Sequence, residues 1–395
     1  MLLPSAPPGR RSPVLARGPR GRRSGVHRVR RIAVLAALIA LVPVLVSYAG
    51  VVLQNSNTSL GIRTVEWLRD HGARGLVNTV ESLYYSANAP SPGGPALRRL
   101  PIPPGGLVGS RSAGRGSAAS ASAYRPPRIV PAISPALSGE GVWRPTFTGG
   151  GSPAPVLVTS FRPDPAYPQV VAGVAWINRG RTSTWLYPGR LEPGVSMGSR
   201  GPMELPYNKR RLLVAAFNSG FKLSDSGGGF ASGGHTYAAM KPGLATILRY
   251  RDGTTDVRAW TGGRDVGVNV VYARQNLPLI VDGGRPNPNL SDGPEWGATL
   301  GNAVRVWRSA LGVDHQGNLL YGVANYQTVG SLAKAMIRAG AVRAMEMDIN
   351  AYWPSFITYR QPGAVGAANI LPGMSRSPQR YLTPDDRDFF GVYLR

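Results

Sequence analysis

The chain has 395 residues and no cysteine, which excludes disulfides, thiolate catalysis and cysteine-held zinc. Its formal net charge is +25, with 45 basic residues against 20 acidic ones. All but four of the basic residues are arginine, and no nucleic-acid-binding motif accompanies them, so the charge points to anionic glycans, phosphate groups or lipid headgroups and not to nucleic acid.

The N-terminal arm, residues 1–31, holds nine arginines and no acid, and residues 32–53 follow without a single charge. At ~1.5 Å per residue that run makes a helix of ~33 Å, enough to cross a bilayer. The basic flank predicts a single-pass, N-in signal-anchor: a cytoplasmic arm, a membrane contact through 32–53, and everything after it outside the cell. The alternative is a secreted form cleaved near Ala49, after the small-x-small run Ser47-Tyr48-Ala49. In the juxtamembrane segment, 54–87, Val65, Leu68, Leu76, Val80, Leu83 and Tyr84 recur at helical spacing with a break at Gly72. It reads as a solvated stalk or as a helical pair lying on the membrane or on the main domain. Residues 88–138 are dominated by Pro, Gly, Ser, Ala and Arg, a composition with too little apolar surface to fold alone, and read as a linker.

From residue 139 to 395 the texture changes. Short apolar runs at 156–161, 170–177, 212–217, 244–250, 268–272, 277–281, 319–323, 342–347 and 389–394 are bounded by Gly, Pro, Asp or Asn, as strands are. Asp252-Gly253 and Gln316-Gly317 predict hairpin turns. One helix is clear, from Leu332, Ala335, Met336 and Ala339, with Gly340 as its stop. The expected fold is therefore an α+β, β-rich mixed-sheet exported domain behind a single N-terminal transmembrane helix.

Four polar loci sit at the ends of these runs. FNSGFK delivers Asn218, and Gly220 there lets the backbone come close to a ligand. VDGGRP places Asp282 and Arg285 around two glycines. WRSALGVDHQG carries Arg308 in an apolar setting, where it needs an anionic partner: Asp348, in a structural ion pair, or a substrate phosphate. AMEMDINAYW carries Glu346 and Asp348, followed by Asn350 and Trp353. In a regular strand Glu346 and Asp348 point the same way, ~7 Å apart. Asp282, Glu346 and Asp348 with asparagine oxygens also offer the hard ligands that Ca²⁺ or Mg²⁺ take, although no spacing is diagnostic.

As a set, NSGF at Asn218, RSALG at Arg308 and EMDIN at Glu346, with the hairpin Gly317-Asn318-Leu319-Leu320, resemble the phosphodiester glycosidase family over roughly 139–395, and the fuller set RQNLPLIVDGGRP, VWRSALGVD and AGAVRAMEMDIN looks closer still to exported actinobacterial members. The family pattern carries Gly-Gly-Gly-Ser after the aspartate; here Ile349, Asn350, Ala351 and Tyr352 stand in its place, and Glu346 stands where the family has Asn. The resemblance implies hydrolysis of a sugar-1-phosphodiester in a cell-envelope glycan or related metabolite. Arg308 would hold the phosphate. Asp348 would act as base or electrostatic stabiliser, its pKa raised by Glu346. Asn218 and Asn350 would bond sugar hydroxyls or phosphate oxygens, Trp353 would stack on a sugar face, and His235, in GGFASGGHTY, is a further acid/base candidate. The second reading is a non-catalytic envelope-glycan binding or exopolysaccharide-assembly accessory protein that uses the same cleft.

Overall fold

The computed structural model describes residues 22–101, 124–147, 153–291, 294–297 and 305–395. The chain divides into two compact units, Met1–Asn55 and Ser56–Arg395. In the first, α1 (Arg22–Leu53) is a 32-residue helix with Pro43 inside it. Among the described residues it is the one helix long and apolar enough to cross a membrane. The first 21 residues of the expected basic arm lie outside the described residues.

In the second unit the β-rich expectation is met by three sheets. Every strand pairing among the described residues is antiparallel. The largest sheet has eight strands, with Leu319–Gln327, Val306–Val313, Arg343–Ile349 and Leu279–Asp282 side by side through its middle. One face of it meets the two five-stranded sheets in a common core, in which Val158, Leu311, Val313, Met345 and Met347 pack with Phe217 and Phe390 of one small sheet and with Ile247 and Tyr272 of the other. Its other face is covered by the helix Val329–Arg338, through Val329, Leu332, Ala333, Ala335 and Met336. Each large apolar side chain so buried is worth about 1.5–3 kcal/mol. Burial on both faces explains why the central strands read as continuous apolar runs and not as alternating patterns.

The predicted turns and helix fall where expected. The chain turns at Asp252-Gly253 between Ala245–Tyr250 and Thr255–Ala259, and at Gln316-Gly317 between Val306–Val313 and Leu319–Gln327. The Val329–Arg338 helix opens on a capping box from Thr328 and Ser331 and stops at Gly340, whose φ is +97°. Several strands escape the reading by apolar runs, among them two in the five-stranded sheets. Thr182–Tyr187 opens on three polar residues and Thr255–Ala259 carries two charges, but both have full ladders, with Phe389–Leu394 and Ala245–Tyr250.

The segment expected to be juxtamembrane forms α2 (Leu60–Leu68) and α3 (Arg74–Ala87), joined across a kink at His71 and Gly72. They lie on the domain: the Ala351 N–H donates to the Tyr85 hydroxyl at 3.4 Å, and Arg74 pairs with Asp225 at 3.0 Å. The middle of the expected linker, 102–123, lies outside the described residues. On either side of it Leu100 and Ile129 are buried, and the Gly93 N–H donates to the Ala166 carbonyl at 2.9 Å. The expected boundaries at 87 and 138 thus fall inside the second unit.

One close approach fixes the loop that carries Asp386 and Arg387. A Cβ on Gly189 would stand 2.5 Å from the carbonyl carbon of Arg387 and 2.6 Å from that of Asp386, both backbone atoms with no room to give. Gly189→Ala should therefore destabilise the protein by about 1–3 kcal/mol, read as a lowered denaturation midpoint; a midpoint equal to wild type would show that the loop is not packed against this turn.

Candidate active site

The strand Arg343–Ile349 is irregular at its end. Arg308 lies opposite Ile349 and Ala310 opposite Glu346, so Met347 and Asp348 together face the single residue Ser309. This is a β-bulge, and it breaks the alternation on which the shared face of Glu346 and Asp348 depends. The two carboxylates do not form one site. Glu346 is wholly buried and pairs with Arg308, Nη1 to Oε1 at 2.6 Å. Asp348 pairs with Arg387, Nη2 to Oδ2 at 2.9 Å. The Ser309 hydroxyl pins the bulge by donating to the Asp348 carbonyl at 2.7 Å.

After the bulge Asn350 takes a left-handed conformation, φ +77°, and its side-chain oxygen accepts the N–H groups of Tyr352 and Trp353 at 2.8 and 3.3 Å. Asn tolerates this φ and closes such turns. The turn brings Trp353 back to the Asp348 cavity, where the Arg387 guanidinium carbon lies 4.8 Å from its ring centre. Arg380 holds the Trp353 carbonyl at 2.9 Å and binds Asp385 through two nitrogens, at 2.8 and 3.0 Å. Arg376 adds a third bond to Asp385, at 3.0 Å. The Asp385 carboxylate in turn accepts the Arg387 N–H at 3.0 Å.

These environments separate the carboxylates. Burial pushes the Asp348 carboxyl up to about 7; Arg387 pulls against that shift and the nearby Glu66 charge adds to it. Burial also raises Glu346, against the pull of Arg308. Glu346 is not among the groups that move Asp348, so the expected pKa coupling between them is replaced by desolvation. For Asp385 burial works upward too, but Arg380 and Arg376 outweigh it and its carboxyl sits below the ordinary range. Asp348 is thus the carboxylate of this cluster poised near neutrality, and it lines a cavity with Phe221, Lys222, Asn350, Trp353 and Arg387.

Of the residues singled out in the sequence, Asp348, Asn350 and Trp353 meet at this cavity. Arg308 does not: it is wholly buried, with its guanidinium on Glu346 and on the Gln327 carbonyl at 3.0 Å, which makes it an internal ion pair and not a phosphate clamp. Asn218 is also buried and engaged. It accepts from the Tyr321 hydroxyl at 2.6 Å and the Ser355 N–H at 2.9 Å, and donates to the Ser219 carbonyl at 2.7 Å. The close approach at Gly220 is to Asn276, 2.9 Å from a Cβ placed there, and not to a ligand. Asp282 and Arg285 are exposed on a hairpin whose Gly284 N–H bonds the Val342 carbonyl. That is the opposite end of the strand from Asp348, ~20 Å away at ~3.4 Å per residue. His235 is exposed on another hairpin, edge-on to Tyr237 with ring centres 4.7 Å apart. The Ca²⁺ or Mg²⁺ ligand set of Asp282, Glu346 and Asp348 is dispersed by the same facts, and among the described residues no three His, Asp or Glu side chains are placed to hold a metal ion.

Lys222 and Arg387 are among the cavity residues that the sequence reading passed over. Lys222 ends the FNSGFK motif, one turn past Asn218. Arg387 lies in PDDRDFF, the densest run of charge in the domain and set directly before an apolar strand, which is the signal that marks it.

No family model matches the sequence, and no curated protein does. Among solved structures, the chain is similar to the zebrafish N-acetylglucosamine-1-phosphodiester alpha-N-acetylglucosaminidase catalytic domain, auto-inhibited by its pro-peptide, at 15% identity over 62% of this chain and 85% of that one, with a TM-score of 0.42. It is also similar to a Synechocystis protein, at 14% identity, 57% and 59% coverage and a TM-score of 0.35. A third is an exported protein of Burkholderia pseudomallei, at 13% identity, 57% and 74% coverage and a TM-score of 0.34. The chain spans less than two thirds of the Synechocystis chain. Likenesses of this degree assign no activity.

Two outcomes follow from the geometry. Arg308→Met leaves Glu346 buried without its cation and should cost about 3–5 kcal/mol in denaturant unfolding. Arg308→Met with Glu346→Leu should recover most of that loss; a double variant as unstable as the single one would refute a purely internal pair. For Asp348, whose folded pKa of about 7 stands above the ordinary carboxylate value, the folded state keeps a proton that the unfolded state releases. Its contribution therefore worsens as pH rises from about 4 to about 7 and is constant above that, by on the order of a few kcal/mol. The stability of wild type minus that of Asp348→Asn should fall across this window, and a difference that stays flat from pH 4 to 8 would show Asp348 to be an ordinary carboxylate.

Proposed function

We propose that the exported domain is a hydrolase that cleaves a glycosyl phosphodiester, held at the cell surface by α1 as a signal-anchor, and that Asp348 is its general base. The observation that carries this reading is the buried Asp348 carboxylate, tuned to about 7, at a cavity that also presents cations and an aromatic ring. The motif resemblance of 139–395 to the phosphodiester glycosidase family supports the same chemistry.

In that reading the C1–O bond to the phosphate breaks, positive charge develops at C1, and water adds there. The ionised Asp348 takes the water's proton and faces the developing oxocarbenium charge. Arg387 holds the carboxylate through Oδ2 and the Ile349 N–H bonds Oδ1 at 3.1 Å, so its orientation is set before substrate arrives. The phosphate monoester is a good leaving group once its charge is matched by a cation. The substrate class that fits the positive surface is a phosphate-bearing envelope glycan.

The test is a panel of chromogenic sugar-1-phosphodiesters offered to the full chain in detergent. Asp348→Asn should lower turnover by about 10²–10⁴-fold with the fold intact by circular dichroism. The wild-type kcat/KM should rise with unit slope up to about pH 7 and level off above it, as a base must be ionised to work. Saturable binding of anionic glycan without turnover of any substrate would instead establish the accessory-protein reading.

A further inference from the structure

The cavity at Asp348 holds only about 60 Å³. That is room for one or two waters and far below the ~300 Å³ at the small end of ligand pockets. What narrows it is the α2–α3 hairpin, which contributes Glu66, Arg69, Arg74 and Glu81 to its lining. The central contact is the Glu66 carboxylate, which forms an ion pair with Lys222 and lies 3.2 Å from Arg69. Burial works to raise its pKa, but the charges of Lys222 and Arg387 outweigh that and hold it below the usual range, so Glu66 sits in the cavity as an anion. Arg387, although buried, has an Nε with no hydrogen-bond partner among the described residues. Its Nη2 is spent on Asp348 and on the Gly220 carbonyl at 3.1 Å.

The hairpin is seated chiefly by charge. Lys222 reaches Asp70 as well, at 3.5 Å, and Arg74 pairs with Asp225 at 3.0 Å. Its buried apolar surface is small: α2 has no buried residue, α3 has only Val77, and Tyr85 packs on Phe221, Val306 and Ile349. The apolar stripe of α3 faces away from the domain, with Leu76 67% and Leu83 66% exposed. An element held by partly exposed ion pairs is displaced by a competing anion far more readily than one held by apolar burial.

We propose that Lys222 and Arg387 form an oxyanion subsite for a phosphate or phosphodiester group, and that the Glu66 carboxylate occupies this subsite until such a ligand takes its place. The identity of the anion rests on the reading of the cavity as a glycosyl phosphodiester site; the subsite itself is tested without turnover. A tetrahedral phosphate presents several oxygens where Glu66 presents two, so it can use Lys222 and, once the hairpin moves aside, the unpartnered Arg387 Nε at once.

The experiment uses the full chain in detergent and inorganic phosphate as the probe, titrated by calorimetry. Glu66→Gln should bind phosphate at least about tenfold more tightly than wild type, because the internal competitor loses its charge. Glu66→Gln with Lys222→Met should lose that gain. In wild type, saturating phosphate should speed amide hydrogen exchange across 60–87, and this readout stands even where a variant loosens the hairpin. Equal affinities of Glu66→Gln and wild type, a gain that survives Lys222→Met, or unchanged exchange across 60–87 would each overturn the subsite. Phosphate binding that depends on Glu66 and Lys222 in a protein without turnover would keep the subsite and sink the hydrolase; turnover with phosphate binding indifferent to both residues would do the reverse.

Discussion

The contact between Asp348 and Arg387 joins two sheets and sets the chemistry between them. Asp348 ends a strand of the eight-stranded sheet, and Arg387 immediately precedes the Phe389–Leu394 strand of a five-stranded one. Both side chains are buried, so each would be strongly penalised alone, and each holds the other in place. The neighbouring Asp385 shows what full compensation looks like. It takes Arg380 through two nitrogens and Arg376 through a third, and its carboxyl falls below the usual range. Asp348 takes one nitrogen of an arginine that also serves the Gly220 carbonyl, and it stays near 7. The two aspartates have the same side chain and comparable burial. The number and geometry of their cations separate a structural carboxylate from one able to exchange a proton near neutral pH.

The bulge at Met347 and Asp348 makes that separation possible. With a regular strand, Glu346 and Asp348 would share a face and compete for one arginine. One extra residue opposite Ser309 leaves Glu346 to Arg308 and Asp348 to Arg387. The Arg308–Glu346 pair then becomes part of the interior. It is joined to the Gln327 carbonyl, and the second Glu346 oxygen has no hydrogen-bond partner among the described residues. Its role is to hold register among three central strands, and neither residue lines the cavity.

This also marks the limit of what could be read in the chain. The long apolar strands were legible because burial on both sheet faces demands unbroken apolar runs. The helix at 329–338 was legible from its period and its glycine stop. Thr182–Tyr187 and Thr255–Ala259 were not: the first opens on Thr-Ser-Thr and takes its ladder partner from the far end of the chain, and the second is a short, charged strand held by the hairpin to Ala245–Tyr250. The bulge was invisible because periodicity counts residues along one strand, and a bulge is defined only against its partner. Asp348, Asn350 and Trp353 lie close together in sequence and were found together. Arg387 comes to Asp348 from 39 residues away and Lys222 from further still, brought in by folding with no local pattern to connect them.

The segment that follows α1 is fastened to the same cluster. The Asn57 side chain donates to the Arg380 carbonyl at 3.1 Å and to Asp385 at 3.2 Å, while Arg376 donates back to it at 3.1 Å. Ser56 bonds Asp386. These contacts belong to the well-compensated carboxylates, whereas Glu66 belongs to the cavity. Between α2 and α3 the chain passes through Gly72 at φ +89°, where helical hydrogen bonding is interrupted. The attachment at 56–58 and the anionic insertion at Glu66 are therefore separate interactions on separate groups. Loss of the Glu66 ion pair breaks none of the bonds that hold Asn57, so the hairpin can leave the cavity while the chain before it stays fixed to the domain. A carboxylate presented on such a tethered element acts at a high local concentration, which is why a small number of ion pairs is enough to keep the cavity closed in the absence of a competing anion.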